Sequence, residues 1–151
     1  MDMNNFPAII GFYGYSQSGK TTLIREIIER LKRRGINIGV VKITDQHISS
    51  EAKEKDTYKC RASGALITSF SSKLDTNFVI NQPLSEERII NNLIQIAKVD
   101  LIMIEGTNDP DVPKIRIGDR PLRENTLFTF TGSVKKVEDA IIEILKTKGI
   151  E

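Results

Sequence analysis

Residues 9–28 read IIGFYGYSQSGKTTLIREII. An apolar run breaks at Gly14 into a polar turn bounded by glycines, then resumes after Lys20 with a different period. The segment AIIGFYGY (8–15) suits a short buried strand. From Lys20 onward, Leu23, Ile24, Ile27, Ile28 and Leu31 recur at helical spacing, with Arg25, Glu26, Glu29 and Arg30 on the opposite face. A plain strand-to-helix connection needs neither two glycines nor a lysine, whereas a polyphosphate site needs both. Gly14, Gly19, Lys20 and Thr21 occupy the fixed positions of G-x-x-x-x-G-K-[ST]. The two glycines let the backbone curl so that successive N–H groups point inward, and the helix aims its positive end at the same anion. Lys20 is placed to reach the β- and γ-phosphates and the Thr21 hydroxyl to ligate Mg²⁺, while Ser16, Gln17 and Ser18 supply mainly backbone donors.

Such a loop requires a second acid for the metal, at the C-terminal end of a neighbouring apolar strand. DLIMIEG (100–106) offers Glu105 there, with Asp100 at the wrong end; an acid in that place is either the metal ligand or a solvated turn residue. Asp45, just past the second strand, holds the metal through water, orients an attacking water, or is a turn-forming aspartate.

The remaining chain reads as strands alternating with helices. INIGVVKI (36–43) is a second strand. A polar stretch follows, with a short helix from Asp56 to Ser63. ALITSFSS and TNFVINQ form a strand pair, with SKLD (72–75) as the turn and not a guanine-reading motif. SEERIINNLIQIAK (85–98) is a helix capped by Ser85. Strands PKIRIG (113–118) and LFTFTG (127–132) precede a last helix capped by Ser133. Strands apolar on both faces imply a mostly parallel sheet between helices, a three-layer α/β architecture with one antiparallel hairpin insertion. The basic RLKRRG end of the first long helix is either a binding patch or a favourable interaction with the helix dipole.

With 151 residues the chain is expected to be one domain spanning 1–151. A net charge of +2 carries no basic excess that would point to nucleic acid. One cysteine (Cys60, read as half-buried) and one histidine (His47) exclude an internal disulfide and a four-ligand zinc site. The N-terminal MDMNNFP lacks the pattern of a secretory signal, and apolar runs fall well short of the roughly 20 residues that span a bilayer. A cytoplasmic protein without membrane association is the expectation.

GYSQSGKTTLIREIIERLKRRGINIGVVK, KDTYKCRASGA, DLIMIEG and PKI follow one another in an order that resembles the molybdopterin-guanine dinucleotide biosynthesis adapter (MobB) family of small P-loop GTPases. The resemblance runs over most of residues 8–118. It implies GTP as the nucleotide, held by Gly14, Tyr15, Ser16, Gln17, Ser18, Gly19, Lys20, Thr21 and Thr22, with Thr21 and Glu105 around Mg²⁺. Lys42 matches the lysine ending the second strand, Asp56 the acid opening the next helix, and Lys114 the lysine of the PK segment. The family also implies a homodimer, slow GTP hydrolysis, and association with the guanylyltransferase that attaches GMP to molybdopterin, with molybdopterin itself a further candidate ligand. Where relatives carry a histidine-rich stretch, this chain has ITDQHIS with a single histidine. The base is placed near FTFTGS (128–133). Arg61, Lys114, Arg116, Arg120 and Arg123 either line a second anionic site, for a pterin phosphate, or are scattered surface cations. Two other functions remain open at this level: a small P-loop kinase acting on a metabolite or nucleotide, with RIGDRPLR (116–123) as a short lid, and a nucleotide-gated scaffold without turnover.

Overall fold

The computed structural model describes residues 6–150. Most of the N-terminal stretch read above for a leader, residues 1–5, lies outside the described residues. The elements in chain order are β1 (Ala8–Tyr13), α1 (Lys20–Arg33), β2 (Ile38–Lys42), α2 (Asp56–Ala62), β3 (Ile67–Ser71), β4 (Thr76–Ile80), α3 (Glu86–Ile96), β5 (Leu101–Glu105), β6 (Lys114–Ile117), β7 (Thr126–Phe130) and α4 (Val134–Thr147). They divide into two compact units, one of Met1–Thr44 with Ile90–Glu151, the other Asp45–Ile89.

In the first unit β2, β5, β1, β6 and β7 lie side by side in that order in one five-stranded sheet. Every neighbouring pair is parallel. Alternation along the strands sends Ala8, Ile10 and Phe12 of β1, Leu101 and Met103 of β5, and Ile115 and Ile117 of β6 to one face. There they meet Leu23, Ile24, Ile27 and Leu31 of α1 and Val137, Ile141, Ile142 and Leu145 of α4. Each Ile or Leu fully buried in this layer contributes about 1.5–3 kcal/mol of transfer free energy. On the opposite face Ile102 and Ile104 are also fully buried. Leu93 of α3 and Val99 approach Gly39 and Ile102 on that side. The strands read from sequence as apolar on both faces therefore sit in the middle of three layers.

Cations dominate the last turn of α1, and the structure assigns two of them a structural partner. Glu138 of α4 accepts from Arg30 at 3.1 Å and from Arg34 at 3.2 Å, clamping the two helices. The Arg30 hydrogen bond, with help from Arg34 and against the opposing effect of burial, holds the Glu138 carboxyl below its ordinary value of 4.5. A carboxylate with a depressed folded pKa stabilises the fold above its unfolded value, and that contribution disappears as pH falls through the folded value. Melting temperatures of the parent and of Glu138→Gln should therefore differ most at neutral pH and converge in acid, below the ordinary carboxylate range. A gap that stays constant through acid would show that the clamp acts by packing alone.

In the second unit β3 and β4 form their own two-stranded antiparallel sheet, with Ser72 and Asp75 closing the turn (N–H to carbonyl, 3.0 Å), as the SKLD reading requires. Arg61 of α2 is buried and pairs with Glu51 at 2.8 Å, and Thr57 donates to the same carboxylate at 2.6 Å. The Thr57 and Arg61 hydrogen bonds keep Glu51 below the usual carboxylate range. Arg61 thus has a structural duty inside this unit, and Cys60, read as half-buried, is exposed. No helix among the described residues is long and apolar enough to cross a membrane.

Candidate functional site

The parallel register lines up the C-terminal ends of the strands. Lys42 of β2 stands opposite Glu105 of β5, and Glu105 stands opposite Phe12 of β1. Beyond Phe12 and Tyr13 the chain turns at Gly14 into the loop that leads to α1. The loop between β1 and α1 therefore lies at the C-terminal edge of the parallel sheet, where α/β sheets bind ligands.

Gly14 is required by space. A Cβ there would overlap the Ile117 carbonyl oxygen, because β6 runs directly beside the start of the loop. Gln17 takes a positive φ of 61° and Gly19 one of 93°, which produces the curl expected of the loop. Gly19 is the N-cap of α1, with no side-chain cap and no acid in the first turn. The helix start therefore keeps its positive end for a partner from outside the helix. The Ser18 hydroxyl is buried within the loop and has no hydrogen-bond partner among the described residues. A buried polar atom left in this state is uncommon, and Arg61 Nε and Thr68 Oγ1 of the second unit share it.

Lys20 folds back over its own loop, donating to the carbonyls of Gly14 (2.8 Å) and Tyr15 (2.7 Å). Burial of its ammonium, the larger cause, pushes the Lys20 pKa below its ordinary 10.5. Glu105 opposes that shift, while Lys42 and Arg120 add to it, so these four charges lie within electrostatic reach of one another. Three cations facing one carboxylate leave a local excess of positive charge. Thr21 and Thr22 are exposed in the first turn of α1, and Tyr15, Ser16 and Gln17 are exposed on the loop.

Other residues named from the sequence are placed differently. Lys114 is fully buried, and its ammonium donates to the carbonyls of Asp109, Val112 (2.8 Å) and Glu124 (2.9 Å). In the ligand-free chain this lysine, named from the family resemblance for the cofactor, ties the 107–113 loop to the segment preceding β7. Gly11 of β1 makes room for its stem, since a Cβ there would run into Thr107 and crowd Lys114. Asp45 and Asp56 belong to the second unit, where both are exposed, Asp56 in the first turn of α2.

The arginines grouped in the sequence as a second anionic site also have distinct settings. Arg116 donates to Thr129 Oγ1 (2.9 Å) and to the Arg120 carbonyl (3.1 Å). Arg123 donates to the carbonyls of Gly106 (3.1 Å) and Thr107 (2.9 Å) and stacks over Tyr13. Its backbone N–H donates to the Tyr13 hydroxyl at 3.0 Å. Sequence reasoning gave Tyr13 no role beyond filling a strand, and only the long-range contact to Arg123 reveals one.

Among the described residues no group of three or more His, Cys, Asp or Glu side chains is gathered to hold a metal. The donors at this edge, the Thr21 hydroxyl and the Glu105 carboxylate, are hard oxygens. They fit Mg²⁺, which is commonly held by one or two protein oxygens together with phosphates and water.

A parallel sheet between helices, with a glycine-bounded loop and lysine at the end of its central strand, defines a three-layer α/β protein of the P-loop type. The sequence profile of the molybdopterin guanine dinucleotide synthesis protein B (MobB) family matches residues 9–139, and the chain belongs to that family. It is 31% identical over 110 residues to the molybdopterin-guanine dinucleotide biosynthesis adapter protein of Escherichia coli, covering 71% of this chain and 63% of that one. A putative adapter protein of the same description from Methanocaldococcus jannaschii is 33% identical over 111 residues, 71% of this chain and 45% of the relative. The matches thus span less than two thirds of these relatives' own length. The fold is similar to that of Bacillus subtilis MobB, with a TM-score of 0.67 at 20% identity over 91% of this chain and 97% of the other. A crystal structure of molybdopterin-guanine biosynthesis protein B gives 0.63 at 24% identity, over 91% of this chain and 99% of that one.

Proposed function

We propose that this chain is a GTP-binding adapter with slow, Mg²⁺-dependent GTPase activity that assists the guanylyltransferase step of molybdenum cofactor maturation, in which GMP is joined to molybdopterin. The observation that carries the nucleotide part is the Gly14–Lys20 loop: a curled backbone at an uncapped helix start, a buried Ser18 hydroxyl without a partner among the described residues, and Lys20 drawn onto loop carbonyls. The role in cofactor synthesis rests on family membership and on the names of the relatives.

In this reading the loop amides and the start of α1 hold the polyphosphate, and Lys20 leaves the Gly14 and Tyr15 carbonyls for phosphate oxygens. Thr21 and Glu105 would hold Mg²⁺, which supplies charge neutralisation across the phosphates. Lys42 adds positive charge from the adjacent strand end. A homodimer fits the second unit, whose two-stranded sheet keeps apolar side chains exposed. Leu66, Ile67, Phe70, Leu74 and Phe78 on and beside this hairpin are each more than half exposed. The cytoplasm, where GTP is available, is the proposed location.

Calorimetric titration with GTP and with ATP, followed by a multiple-turnover assay with and without the guanylyltransferase, tests the proposal. GTP preference, slow phosphate release and a rise in guanylylated pterin on adding the chain are expected. Transfer of the γ-phosphoryl group to a metabolite would instead identify a kinase and overturn the adapter reading. Glu105→Gln should weaken nucleotide binding roughly tenfold in magnesium and much less in chelator. Equal losses in both conditions would remove Glu105 from the metal.

A further inference from the structure

β6 and the connection that follows it carry four cationic side chains, and three of them are committed to holding the protein together. Lys114 is buried on carbonyls, Arg116 ties β6 to β7 and to the connection, and Arg123 pins that connection to the end of β5. Arg120 differs. Its guanidinium makes one long hydrogen bond, 3.5 Å to the Gly14 carbonyl, and rests 5.5 Å from the centre of the Tyr15 ring. No ion pair to a carboxylate joins it among the described residues.

Its backbone, by contrast, is held firmly, since the Arg120 carbonyl accepts from Arg116 at 3.1 Å. The result is a half-buried, weakly engaged guanidinium delivered from a fixed point onto the mouth of the loop. Lys20 and Arg120 both donate to the Gly14 carbonyl. Two cations sharing one neutral acceptor repel each other, and a polyanion between them would turn that repulsion into attraction. The exposed Tyr15 ring gives the guanidinium a surface to slide on. A guanidinium also matches two phosphate oxygens at once, which an ammonium does not.

We propose that Arg120 is a further cation of the phosphate site, reaching the polyphosphate of the bound nucleotide from the β6–β7 connection of the same chain. This rests on the nucleotide reading above and adds to it a residue outside the glycine-lysine loop. Arg120 reads charge and not base, so its contribution is the same for any triphosphate tail.

The test is calorimetric titration of the intact chain with inorganic tripolyphosphate, GTP and ATP, using the parent, Arg120→Ala, Arg120→Lys and Lys20→Ala. Arg120→Ala should lose about 10- to 100-fold in affinity for tripolyphosphate and for each triphosphate that binds. Arg120→Lys should recover only part of that loss, and it carries the test should the alanine chain melt markedly lower. Retained affinity in both Arg120 variants, with binding lost in Lys20→Ala, overturns the role of Arg120 and leaves the nucleotide site standing. A loss confined to GTP, with tripolyphosphate unaffected, overturns it by placing Arg120 at the base. If the parent ignores all three anions, the nucleotide reading itself fails, and Arg120 with it.

Discussion

Lys20→Ala is expected to lose triphosphate affinity by on the order of a hundredfold or more while the chain still folds. The Lys20 ammonium is not part of the apolar core, and its hydrogen bonds go to the loop's own carbonyls at Gly14 and Tyr15. Partial burial beside Lys42 and Arg120 outweighs the help it gets from Glu105, so the charged form is held at some cost in the ligand-free chain. Removing it should leave the melting temperature nearly unchanged or slightly higher. Affinity and stability then move independently, which is the signature of a group kept for a ligand. A variant that binds GTP as tightly as the parent would end the assignment of this loop.

Lys114→Ala should do the reverse. This side chain is fully buried, and three carbonyls depend on its ammonium. Truncation takes the ammonium donor from each of those acceptors and opens a void beside Gly11, with a cost of about 3–5 kcal/mol. Thermal melting of the ligand-free variant reads this directly. Once the loss of folded protein is allowed for, nucleotide affinity should be near that of the parent. Full stability with lost affinity would restore the ligand role that the family resemblance implied for this lysine.

These two lysines show where a sequence stops being informative. Lys20 is legible because its duty is local: glycines, lysine and threonine within eight residues act through one turn and one helix start. Lys114 sits in an equally recognisable segment, yet its setting depends on carbonyls at Asp109, Val112 and Glu124 and on a glycine in another strand. None of those contacts leaves a periodic trace. The same holds for the arginines of RIGDRPLR. Their spacing looks uniform, but β6 and β7 send Arg116 to Thr129, Arg123 to the end of β5, and Arg120 to the loop. Cys60 was misread because a short helix has too few turns to establish which face is inward.

The order of strands and helices, the turn at SKLD, the caps at Ser85 and Ser133, and the pairing of a glycine loop with an amphipathic helix were all determined by the sequence alone. Each arises from interactions between residues close in the chain, where periodicity and turn chemistry act directly. Ser85 and Ser133 indeed accept from Arg88 and Lys136 at the starts of their helices. Only the tertiary structure decided that β5 and β6 flank β1, and therefore which strand ends share an edge with the loop. It also decided that the β3–β4 pair forms a sheet of its own. Strand neighbours are chosen by burial of whole faces against distant elements, and a charge acquires its partner only after that choice is made.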